Sequence, residues 1–400
     1  MSVATQLVDS TSQRRFTPEA EFTRKLGWVG LVAAVVVFAG VVLAPARTWP
    51  GLLIVAVYLV GLPIGAMIFL STQAVASGGW HVCFKRIPES IASTIPYAGL
   101  VLLLTLAAGM GTLYEWSHPD VMADDAILAG KAGWLNVPFF LTRAVLLLAV
   151  WFGFVAAMLR VSRRQDADRT ARGNRRTVVL SATFLVVLAI TFSIASWDWL
   201  MSLEAHWFST VFAAYHFTGA LVSGLAMITV AAIVLRRRGS LTGIVTDAHL
   251  QDMGKLLLGL SSFWAYLWLC QYLLIWYGNL PEEVTFYIHR HHGAWAVVSG
   301  ANVLVGWVVP FLALLPRASK RSEGFLLKAA GLLLVGHWID LYYSVQPVFQ
   351  PEAPVLGIWE LAPIVGGAAL FLWAFRRGLA AAGLVPVGDA YLQESLHHHQ

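Results

Sequence analysis

"LGWVGLVAAVVVFAGVVLA", residues 26–44, carries no charged side chain. At about 1.5 Å per residue such a run is close to 30 Å long as a helix, the thickness of a bilayer's hydrocarbon core. In lipid only a helix satisfies the backbone of a single segment from within. The run begins just after Arg24 and Lys25, and a second apolar run follows "PARTWP" (45–50) over residues 51–75. Working outward, comparable runs fall at about 92–113, 137–159, 177–197, 207–235, 254–278, 294–315, 324–344 and 355–375. They are continuous rather than alternating, which argues against a β-barrel. The sequence therefore predicts an all-α polytopic membrane protein with ten transmembrane helices.

Composition agrees. The chain has 400 residues, 58% hydrophobic and 12% charged, whereas soluble chains carry about 25% charged residues. All but four of the 27 Lys and Arg fall between the runs or near their ends on one side. The four exceptions are Arg47, Lys131, Arg143 and Arg290. By the positive-inside rule the basic side is cytoplasmic, and both termini lie there. The opposite loops are acidic, with Glu115, Asp120, Asp124, Asp125, Glu282 and Glu283. The expected organisation is a cytoplasmic segment over 1–25, a transmembrane domain over 26–378 and a cytoplasmic tail over 379–400. The polar start carries no signal-peptide pattern. No loop is long enough for a soluble domain, and no Walker, GxGxxG or HExxH motif is present. Nothing suggests nucleic-acid binding. Cys83 and Cys270 form no spacing motif.

Ionisable groups inside a membrane are costly and mark sites. "GHWIDLYYSV" (336–345) places His337 and Asp340 three residues apart on one helical face. Counting along each run, His337 lies roughly 10 Å and Asp340 roughly 6 Å below the outer boundary. Glu360 falls near that depth, Arg143 at roughly 9 Å, Gln271 at about 10 Å and His216 at about 14 Å. Ser209, His216 and Ser223 share a face. These helices thus predict one polar layer in the external half of the membrane. A His and a carboxylate within reach can relay protons, for quinol oxidation or for proton conduction. His216 alone also reads as packing glue, Arg143 as a snorkelling cation, and Asp340 and Glu360 as acids reached by external water.

A second polar group, "TDAHLQDMGK" (246–255), holds Asp247, His249, Asp252 and Lys255 on the cytoplasmic side. It reads first as a solvated helix start, and alternatively as a point of proton uptake. His216 and His337 differ in depth, which argues against a bis-His haem. His289, His291 and His292 read as interfacial, so no metal site is expected.

Several longer stretches carry a resemblance. "SWDWLMSLEAHWFSTVFAAYHFTG" (196–219), "GKLLLGLSSFWAYLWLCQYLLIWYGNLPEE" (254–283), "FKRIPE" (84–89), "GHWIDLYY" (336–343) and "VPVGDAYLQESLHHH" (385–399) resemble the ActF subunits of bacterial alternative complex III. Those subunits belong to the NrfD/PsrC-like membrane superfamily. The resemblance runs from the second span to the C-terminus and is absent from the first 20 residues.

The resemblance implies two four-helix bundles with peripheral helices, in the bacterial inner membrane. It implies a place in a quinol:cytochrome c oxidoreductase beside an ActC-like paralogue, a periplasmic iron–sulfur subunit, haem c subunits and lipids, delivering electrons to cytochrome c or a terminal oxidase. Haem and iron–sulfur clusters would belong to those partners, and quinone or menaquinone is the one small cofactor expected near this chain. His337, Asp340, Asp198, Glu204, His206 and Gln271 fall in the matching motifs. Quinol oxidation needs a nearby electron acceptor, for which this chain has no ligand set, so the resemblance and the residues together favour a proton-pathway or structural role. Whether the chain is catalytic is left open. Two alternatives stay open: a quinol-binding NrfD-like anchor of a molybdenum reductase-type complex, and a stand-alone secondary transporter, which predicts inverted repeats and broken helices.

Overall fold

The structure, a computed structural model, describes residues 15–168 and 171–398. Met1 to Arg14, Arg169 and His399, which the sequence reading used, lie outside them. Ten helices are long and apolar enough to cross a membrane: α1 Ala20–Leu43, α2 Pro45–Val75, α3 Arg86–Leu113, α4 Val137–Ala167, α5 Gly173–Glu204, α6 Phe212–Arg237, α7 Asp247–Gly278, α8 Trp295–Leu314, α9 Glu323–Phe349 and α10 Ile358–Ala380. The chain is an all-α, multi-pass membrane protein. Several ends differ from the apolar runs for local reasons. The α7 helix starts at Asp247 because Thr246 and His249 form a reciprocal cap. Gly61 and Pro63, read as interrupting the second run, lie inside the single helix α2.

The helices close into two rings. The helices α2, α3, α4 and α5 pack in cyclic order, and α6, α7, α8 and α9 do the same. Successive spans alternate in direction, so α2 and α6, four spans apart, run the same way. The two rings thus begin on helices of the same direction, an arrangement that inverted repeats do not give. They meet along α2 and α6, with α9 against α2 and α6 against α5. In α2 and α6, 83% and 78% of the apolar window is buried, against 11% in α1, which makes that pair the molecular axis. At the α2–α6 crossing a Cβ on Gly65 would stand 2.2 Å from the Ala220 carbonyl oxygen, and one on Gly224 would stand 2.6 Å from Gly65 Cα. Two backbones in contact need glycine there, as in small-residue crossings of membrane helices. The remaining helices, α1 and α10, pack on each other and on α2, with α10 also against α3.

The two sides seen in the charge pattern are also physical groupings. Basic-side segments touch one another: Arg15 bridges to Gly383, Lys85 pairs with Asp389 at 2.7 Å, and His398 pairs with Asp252 at 2.7 Å. Arg15 and the tail thus sit on one side. Opposite-side segments do likewise, with His206 on Asp125 at 2.6 Å and Trp207 Nε1 donating to the Glu283 carbonyl at 3.0 Å.

Candidate functional site

Asp340 lies at the centre of the second ring, fully buried. Its carboxylate accepts hydrogen bonds from three other helices. The Tyr215 hydroxyl of α6 and Asn302 Nδ2 of α8, at 3.1 Å, donate to Oδ1. Trp264 Nε1 of α7 donates to Oδ2 at 3.3 Å. Asn302 comes into reach at the end of the first half of α8, just before a π-helical stretch, Leu304–Val308. Such bulges often occur where a helix re-aims side chains at a site. His337, one turn earlier on α9, holds Nδ1 3.8 Å from Asp340 Oδ2, and its ring lies 5.5 Å from the Tyr58 ring of α2. The ring fits because residue 219 is glycine: a Cβ there would stand 2.7 Å from His337 Cε1.

His216 faces the same place. Neither of its ring nitrogens, nor His337 Nδ1, has a hydrogen-bond partner among the described residues. Buried polar atoms of this kind call for an explanation such as a bridging water or a catalytic role. Both imidazoles line a cavity of about 30 Å³ between the rings, bounded also by Gly61, Ser196, Trp199 and Ala220. That volume suits about two waters and is far short of a quinone ring. Val57, Val60 and Gly61 of α2 line it, as do residues of α5, α6 and α9. It therefore sits at the junction of the two bundles.

The other residues of the expected polar layer do not join this site. The layer separates into distinct groups, each with its own partner. Glu360 binds Arg47 through two hydrogen bonds of 2.7 and 2.8 Å. It also caps α10 by accepting from Gly357 N–H at 2.7 Å. Arg143 clasps Asp198 through bonds of 2.6 and 3.0 Å. Trp134 adds a donor to Asp198 at 2.9 Å and a ring 4.2 Å from the guanidinium. Gln271 meets only Ser209, at 3.4 Å, among the other expected residues. Glu204 pairs with Arg290 at 2.8 Å, and His206 pairs with Asp125 near the surface. The Asp125 carboxyl is held below its ordinary value by the Leu128 backbone N–H and by His206.

Arg290 shows why a cation stands in the acidic half. Pro347 inside α9 has no N–H to give the Tyr343 carbonyl. Arg290 Nε donates to that carbonyl at 3.0 Å and Nη2 to the Ser344 carbonyl at 2.8 Å. All four exceptions to the charge rule are engaged, Arg47 and Arg143 by carboxylates and Lys131 by the Ala205 carbonyl, to which its Nζ donates at 2.5 Å.

On the basic side, the "TDAHLQDMGK" residues hold the C-terminal tail. His249 is fully buried, 3.1 Å from the Ser395 carbonyl and 3.4 Å from Cys83 Sγ. Asp252 contacts Lys255 and His398, while Asp247 pairs with Arg236 at 2.8 Å. Burial pushes the Cys83 thiol up to about 12. His81 nearby is lowered to about 3 by burial and by the Lys85 charge. Burial raises the Asp389 carboxyl, but Lys85 outweighs it and holds the group below its ordinary value. A cavity of about 60 Å³ is lined here by His81, Lys85, Glu89, Ser162 and Asp389. It shares no lining residue with the inter-bundle cavity. On α2 the two end at Met67 and Gly61, leaving about 9 Å of helix between them.

Sequence reasoning missed Tyr215, Asn302, Trp264, Tyr58 and Gly219. Asn302 was findable as an amide within an apolar run. The tyrosines and the tryptophan had no signal, because aromatic residues are common in such helices. Among the described residues no three His, Cys, Asp or Glu side chains gather as a metal ligand set. No protein-family model and no curated protein matches the chain.

Proposed function

We propose that this chain is the integral membrane subunit of a quinol-oxidising respiratory complex of the alternative complex III type. In this reading its own task is to handle protons at the His216–His337–Asp340 site. The supporting observation is the water-sized cavity shared by two imidazoles one short step from a buried carboxylate. His337 Nδ1 and Asp340 Oδ2 are 3.8 Å apart, within reach of a proton transfer through one water or a small ring movement. Tyr215, Asn302 and Trp264 hold the carboxylate in place. His216 extends the relay across the cavity to α6. Electrons from a quinol would need an acceptor in a partner, whereas proton transfer needs only the groups already here. The sequence motifs favour the ActC-like, iron–sulfur and haem c partners, and the cytoplasmic membrane of a bacterium. The shared direction of the rings' first helices favours this reading over an inverted-repeat transporter.

Affinity purification of the tagged chain from its native membranes tests the assembly. It is expected to bring down haem-stained and iron–sulfur polypeptides; recovery of the chain alone would sink the proposal. Within the purified assembly, Asp340→Asn is expected to slow proton uptake and turnover with subunit content unchanged. Unaltered turnover and proton uptake would make the pair a packing device.

A further inference from the structure

The outward face of α4 changes chemistry along its length. Phe152, Val155, Ala156 and Leu159 form an apolar stripe, and Arg160, Arg163 and Arg164 continue it at the same helical spacing. Opposite this stripe, α3 breaks between Ala92 and Ile95. The break leaves a groove of about 560 Å³ between the two helices, with Pro96 on the far wall. Its apolar floor and its guanidinium rim lie along one helix, with Phe152 and Arg160 about 12 Å apart.

The three arginines are exposed. Acids close by are already engaged. Arg86 takes Glu89 at 2.5 Å and also binds Asp166 and Ser162. Three guanidinium groups thus line the rim, at the level where an apolar helix face gives way to a polar one.

We propose that this groove is a binding site for an anionic phospholipid of the basic-side leaflet. Its phosphate would lie against Arg160, Arg163 and Arg164, and its first acyl carbons along Ala156 and Phe152. A free phosphate would use the rim but not the floor, and a zwitterionic lipid would leave the rim's charge unbalanced. Basic pockets between membrane helices recognise anionic headgroups in this way.

Native mass spectrometry of the full chain, released from nanodiscs of equal phosphatidylglycerol and phosphatidylcholine, provides the test. Phosphatidylglycerol is expected to stay bound, and the Arg160→Gln/Arg163→Gln/Arg164→Gln variant to lose about tenfold or more of it. An Arg317→Gln/Arg321→Gln control, altered outside the groove, is expected to retain it. Equal retention of both lipids, equal loss in the control, or displacement by inorganic phosphate would overturn the proposal. If the triple variant fails to fold, photoactivatable phosphatidylglycerol on the unaltered chain decides. Crosslinks mapping to residues 152–164 support the site, and crosslinks that avoid them refute it.

Discussion

Asp340 carries the most consequence of any single residue. Its carboxylate collects donors from α6, α7 and α8, so replacing it affects three helices at once. Asp340→Leu leaves Tyr215, Asn302 and Trp264 without their acceptor, and is expected to cost about 3 kcal/mol or more. Asp340→Asn keeps the shape and an acceptor oxygen and costs less. Thermal unfolding in detergent should rank the two in that order; equal melting would show that the carboxylate does not hold the ring together. Gly219→Ala is a subtler probe. Its methyl group would meet His337 Cε1 and Nδ1 at 2.7 and 2.8 Å, so the imidazole must turn away from the cavity. Turnover and proton uptake are expected to fall about as far as in His337→Phe, with assembly retained.

Elements are joined by ion pairs and by the tail. Arg143 ties α4 to α5 through Asp198, and both side chains are buried. Breaking such a pair costs about 3–5 kcal/mol because one buried charge is left alone. Arg143→Ala should therefore destabilise strongly, and Arg143→Ala with Asp198→Ala should recover part of the loss in a double-mutant cycle. The tail reaches the basic side through Ser395, whose hydroxyl accepts from Cys83 N–H at 2.9 Å and donates to the Trp80 carbonyl at 2.6 Å.

Docking of the tail should depend on pH. Asp389, on the tail, is held below its ordinary value by Lys85 when docked. The released state therefore binds more protons as pH falls, so docking is fully favourable above the ordinary carboxylate range and weakens as pH falls through it. Hydrogen exchange in residues 79–85 and 386–396, corrected for intrinsic rates, should rise between about pH 5 and about pH 3. Asp389→Asn should flatten that rise; an unchanged slope would assign it to other groups.

For the whole molecule, the contact of α2 with α6 is the most extensive between the two rings and bounds the cavity. Gly65→Leu cannot fit against the Ala220 carbonyl without parting them. It is expected to cost at least about 3 kcal/mol and to lower the yield of folded protein, while Gly259→Leu, which faces open space, should be tolerated. Comparable yields and melting temperatures of the two variants would show that the rings do not depend on this crossing.

Span number was legible because bilayer thickness forces a long, mostly apolar run for every crossing, whatever its neighbours. Sidedness of the loops was legible because charge is excluded from those runs and collects between them. The spacing of His337 and Asp340 was legible for a local reason too, since helix geometry fixes which residues share a face. Depth is likewise local, which is why Glu360, Arg143 and Gln271 were placed at the level of His337. Direction around each helix axis, and the identity of the neighbouring helix, are not local. They follow from side-chain packing between segments up to hundreds of residues apart, such as Arg47 with Glu360 or Tyr215 with Asp340. The sequence by itself thus determined ten helices, their sides and one buried His–Asp pair. Only the tertiary structure decided that the polar layer divides into separate pairs, and that two imidazoles and a carboxylate meet at the junction of two bundles.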